Sequence, residues 1–87
     1  MSYEYQIERP KLFTEEGVAM LFKVRDQVSK HIFHAGACTA DKIIRPITGD
    51  SWLMLAAIDY MEELGEIKCV YEGYRSNDAV YIKGGTK

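Results

Sequence analysis

The two histidines and two cysteines of this 87-residue chain, His31, His34, Cys38 and Cys69, form its one constellation of metal-ligand type. The spacing His-x2-His-x3-Cys puts both histidines on one face of a helix and Cys38 just beyond its end, and tetrahedral zinc accepts such a set. The spacing matches no established zinc motif. Histidines in a last helical turn are explained as well by the partial negative charge of the helix C-terminus, so no metal is expected. Two cysteines can make one disulfide, but a reduced cytoplasmic chain is the expectation. Nothing places Cys38 beside a poised base and an oxyanion pocket, and Cys69 falls in an alternating stretch, as a small buried hydrophobe does. The acid pairs Glu15-Glu16 and Glu62-Glu63 are consecutive and splay around a helix, so they do not form an acid–base pair. Gly84-Gly85 lacks the helix that a phosphate-cradling loop needs. No enzyme activity and no cofactor are expected.

The elements that must position these residues are legible from periodicity. Tyr3, Tyr5 and Ile7 alternate with Glu4 and Gln6, which predicts an extended arm or short strand over residues 1–13, limited by Pro10. The arm packs on the domain or on a second copy. Thr14 is a suitable N-cap, with Glu15 and Glu16 at the positive end of the helix dipole. The first helix is predicted over about residues 15–34, with Val18, Leu21, Phe22, Arg25, Val28 and Ile32 as its stripe and Gly36 as its stop. Thr39 caps a short second helix, 40–45, ended at Arg45 by Pro46. Asp50 or Thr48 caps a third helix, 51–64, closed by Gly65. Residues 66–72 and 79–83 read as strands, with Ile67, Cys69 and Tyr71 against Val80 and Ile82, and residues 73–78 have the composition of a projecting turn.

The order helix, short helix, turn, helix ending "EELGEIKCVYEG", then a hairpin ending "DAVYIKG" resembles the winged helix-turn-helix family. Tyr60, Leu64, Gly65 and Ile67 stand in the family's pattern at the end of the third helix. The resemblance covers residues 14–83 and implies an α+β fold with three helices followed by a two-stranded β-hairpin wing. Residues 1–13 form an arm and 84–87 a loose tail. It also implies a small DNA-associated regulator of transcription.

The third helix argues against reading bases. From Asp50 to Glu66 there are five acids and no Lys or Arg, whereas readout in the major groove relies on Arg, Lys, Asn or Gln, and affinity on phosphate attraction. Helical spacing puts Leu53, Ala57, Tyr60, Met61 and Leu64 on the core side. Ser51, Leu55, Asp59 and Glu62 lie opposite, with Trp52 and Ile58 on the flanks. Any DNA contact therefore shifts to Lys42, Arg45, Ser51, Lys68 and Arg75. The alternative is a protein-interaction or dimerisation module without DNA binding, using Tyr3, Tyr5, Trp52, Leu55 and Ile58. In that alternative the last three are either an exposed patch or core. A net charge of −2 leans mildly against nucleic acid. No apolar run reaches membrane-spanning length, and residues 1–13 lack the pattern of a secretory signal, so a cytoplasmic protein without membrane contact is expected.

Overall fold

In the computed structural model, which describes residues 3–71 and 79–84, the longest helix begins at the cap the sequence announces. Thr14 Oγ1 accepts from the Gly17 N–H at 3.1 Å. The elements are α1 (Tyr5–Glu8), a 3₁₀ turn (Arg9–Phe13), α2 (Glu15–Ala35), β1 (Ala37–Thr39), α3 (Ala40–Ile44), α4 (Ser51–Glu63), β2 (Ile67–Tyr71) and β3 (Val80–Lys83). Among the described residues this is a small α+β fold of four α-helices and one three-stranded antiparallel sheet in the order β1-β3-β2. The core is built on Leu12, Val24, Val28, Ile43 and Ile58. No described helix is long and apolar enough to cross a membrane.

The N-terminal segment is helical, not extended. Tyr5, Glu8 and Leu12 recur at helical spacing, and this outweighs the period-two alternation of Tyr3, Tyr5 and Ile7. Leu12 and Glu8 are buried while Ile7 faces out. Pro10 sits in the first turn of the 3₁₀ segment, where its missing N–H leaves no hydrogen bond broken. The Glu8 carboxylate is buried with Oε1 3.1 Å from Lys11 Nζ, without a well-aligned hydrogen bond to it.

The buried stripe of α2 is Gly17, Met20, Val24 and Val28, so the helix is turned from the expected rotation and Val18 and Phe22 are exposed. Gly17 sets that rotation. A Cβ at this position would lie 1.9 Å from the Lys11 carbonyl oxygen and 2.5 Å from Leu12 Cα, so the 3₁₀ turn rests directly on the α2 backbone. At the other end Gly36 adopts φ 80° and its N–H bonds the Ile32 carbonyl at 2.8 Å.

Strand β1 went unpredicted because three residues carry almost no periodicity. Thr39 is both the last residue of β1 and the cap of α3, accepting from the Lys42 N–H at 3.2 Å. Arg45 keeps helical backbone angles despite preceding Pro46; α3 stops because Pro46 has no N–H with which to extend it. The buried residues here are Tyr81 on β3 and Ala79 just before it, rather than Val80 and Ile82. Cys69 and Tyr71 of β2 pair with the adjacent residues Tyr81 and Val80. The extra residue, Val70, is a bulge, which turns Tyr71 outward.

Inside a helix, Gly→Ala ordinarily stabilises by about 1 kcal/mol. Here the backbone contact reverses the sign: Gly17→Ala is expected to destabilise by about 1–3 kcal/mol, read from the midpoint of urea unfolding.

Candidate functional site

Helix α4 is the helix that the sequence reading considered for base contact, and its surroundings decide what it can do. Asp50 caps it by accepting from the Trp52 N–H at 2.9 Å. It packs against α1, the 3₁₀ turn, α2, α3 and β2, so Leu53, Met54, Ala56, Ala57, Ile58 and Met61 are all buried. Ile58 is 1% exposed and belongs to the core, not to an outward patch. Leu64, expected in the core, is exposed. Trp52 and Leu55 are half-buried.

The acidic side of α4 is bound by the N-terminal segment. The Tyr3 hydroxyl donates to Asp59 Oδ2 at 2.6 Å, and the Tyr5 hydroxyl to Glu63 Oε1 at 2.6 Å. The Arg9 guanidinium grips Glu63 in bidentate fashion at 2.9 and 2.7 Å. It also lies over the rings of Phe13 and Tyr60, 5.3 and 5.5 Å from their centroids, and those rings meet edge-on. Arg9 and Phe13 are thus part of the site, although neither was singled out from the sequence. The one available signal was a basic and aromatic segment in a chain whose last helix is acidic. Tyr3 and Tyr5 are engaged within their own chain.

These contacts perturb titration in opposite senses. The Arg9 hydrogen bonds, then the one from Tyr5, hold Glu63 down to about 2. Burial, reinforced by the bond to Glu63, pushes Tyr5 up to about 12. Burial raises Asp59 above the ordinary carboxylate range, and the bond from Tyr3 only partly offsets it. Tyr3 and Tyr81 are raised too, chiefly by burial. Asp59 shares a small cavity of about 210 Å³ with Tyr3, Leu55, Glu62, Cys69 and Tyr81.

The candidate DNA contacts are dispersed. Lys42 on α3 and Arg45 at its C-cap are exposed and border an open groove of about 550 Å³ with Gln27 and His31. Arg45 is paired with Asp41 one turn earlier. Ser51 is exposed at the first turn of α4. Lys68 is exposed on β2, which β3 separates from β1, the strand beside α3. Arg75 and the turn at 73–78 lie outside the described residues.

Cys38 and Cys69 both align with Tyr81, from opposite sides of β3. Two strand spacings put them about 10 Å apart, beyond the roughly 4.4–6.8 Å Cα separation of a disulfide; both are free thiols. Burial raises the Cys38 thiol pKa, which disfavours the thiolate. Among the described residues no three His, Cys, Asp or Glu side chains converge on a metal-sized site. His34 is exposed with its ring edge-on to Phe33.

A second surface lies on α2. Phe33 is 85% exposed, Phe22 63% and Val18 40%. Phe33 rims a groove of about 530 Å³ between α2 and the β2–β3 hairpin, floored by Val28, Ile32, Met61 and Ile67, where Arg25 pairs with Glu66. Comparison with protein-family models, with curated proteins and with solved structures gives no match to this chain.

Folding holds Glu63 ionised down to about 2 against an ordinary 4.5. The clamp's contribution is therefore complete above 4.5 and is lost as pH falls toward 2. Thermal unfolding of Glu63→Gln is expected to be lower than wild type near neutrality, with the gap closing on acidification. Asp59 has the opposite sign: its raised pKa favours the protonated form in the fold, so its ionisation costs stability as pH rises. Asp59→Asn, which can still accept from Tyr3, is expected to melt higher than wild type at neutral pH, with the advantage fading in acid.

Proposed function

We propose that this chain is a winged-helix-type domain that works by protein contact and not by reading bases. The order helix, short helix, turn, helix and hairpin is present as α2, α3, α4, β2 and β3, which supports the family resemblance; α1 and β1 are additions to the expected plan. The observation that carries the reading is the contrast between two helices. Helix α4 is mostly core, and Asp59 and Glu63 on its acidic side are held by Tyr3, Tyr5 and Arg9. Helix α2 instead leaves Phe22 and Phe33 in water, the second on the rim of an apolar groove. Exposed aromatic side chains on one helix, one of them at a concave surface, are the composition of a protein contact. The two free thiols fit a reducing, cytoplasmic setting.

The second reading, a DNA-associated regulator, is favoured by one observation: Lys42 and Arg45 are both exposed beside the α3 groove. It would act through α3 and the hairpin turn, with α4 contributing Ser51 alone. Arg45 is paired with Asp41, an acid that a phosphate approaching this groove would also meet.

Anisotropy titration with labelled duplex DNA over a range of salt separates the readings. Protein contact predicts no salt-steep binding. Binding whose log affinity falls by about 0.9 per phosphate contact with log salt, and which Lys42→Ala weakens, would make the regulator the correct reading.

A further inference from the structure

We infer that the exposed stripe of α2 pairs with the same stripe of a second copy, the helices running antiparallel across a two-fold axis near Arg25 and Asp26. This deepens the protein-contact reading and rests on it. Val18, Phe22, Arg25, Ser29 and Phe33 follow one another by four, three, four and four residues, which is one line along a helix. That line lies well around the helix from the buried one through Met20, Val24 and Val28, and so points away from the core.

The stripe is self-complementary in size. With the axis near residues 25 and 26, Phe33 of each copy stands opposite Val18 of the other, and Phe22 opposite Ser29. Ser29 is the small residue on the wall of the 530 Å³ groove whose floor includes Val28, Ile32, Met61 and Ile67. Each Phe22 ring therefore meets a hole, as interface anchors do. A two-fold axis makes the arrangement isologous and closed.

Charge selects the orientation. The first turn of α2 carries Glu15 and Glu16, both exposed, and its last two turns carry His34 and Lys30, also exposed, the lysine 3.5 Å from Asp26 one turn earlier. Antiparallel packing brings the acidic end of one helix alongside the basic end of the other; parallel packing would bring like ends together. Arg25 is the one charge on the stripe near the axis. Its guanidinium is held by both Glu66 oxygens at 3.0 and 2.9 Å, so two arginines meeting there are each already neutralised.

Sedimentation equilibrium of the full chain over a wide concentration range tests this. The expected mass rises toward twice 9.9 kDa, and Phe33→Glu and Phe22→Glu each lower the association constant at least ~10-fold while keeping the wild-type circular dichroism. The large exposure of both rings keeps these changes out of the core. Spin labels test the orientation on a chain with both native cysteines replaced. Two Asp26→Cys labels should lie close together, and two Glu16→Cys labels about 30 Å farther apart along the axis, at 1.5 Å per residue. A chain that stays monomeric, a dimer indifferent to both phenylalanines, or short distances at both positions would overturn the pairing. A monomer that also fails to bind DNA overturns the pairing alone, whereas salt-steep DNA binding overturns the reading beneath it.

Discussion

The contact between Gly17 and the Lys11 carbonyl is the constraint from which most of this structure follows. With no side chain at Gly17, the 3₁₀ turn lies directly on the backbone of α2. That fixes the rotation of a 21-residue helix from its first turn. Met20, Val24 and Val28 are sent inward, and Val18 and Phe22 are left outside. The same contact anchors Leu12 in the core and so delivers the residues before it, Tyr3, Tyr5 and Arg9, to α4. One missing methyl group thus decides both which apolar stripe faces water and which acids are covered.

The electrostatics of α4 are resolved within the chain. An acidic helix repels phosphate, and here Asp59 and Glu63 already have phenol and guanidinium partners. The two acids are not equivalent. Glu63 is near the surface and strongly hydrogen-bonded, which favours its charge, whereas Asp59 is deeper, where desolvation dominates. The surface pair adds little by itself in water, but the bidentate geometry and the two rings around Arg9 give the segment a defined seat.

Caps, stops and acidic runs were legible because they are local. Thr14, Thr39 and Asp50 each accept the backbone N–H that a cap should, and Gly36 and Gly65 take positive φ at the helix ends. The candidate sites were less legible. Tyr3 and Tyr5 were singled out as contacts to a partner, whereas their hydroxyls bond Asp59 and Glu63 of the same chain. Ile58 had two readings, and only packing from five neighbouring elements chose the core. Phe33 drew no attention, because an aromatic residue at the end of an amphipathic helix reads as core until the helix has a rotation. Strand β1 exists only through its pairing with β3, a partner more than forty residues away in the chain.

By itself the sequence determined the class of fold and the sites of chain reversal, since capping, glycine stops and the period of apolar residues are properties of a few neighbouring residues. It also determined that α4 would carry acids and no base-reading cations. Only the tertiary structure decided how far each helix is turned about its own axis, which strand neighbours which, and which charges meet. Those depend on contacts between residues distant in sequence, such as Lys11 on Gly17's backbone face and Arg9 on Glu63. A rotation of less than one residue's step exchanges a buried valine for an exposed phenylalanine, and no local pattern fixes an angle that fine.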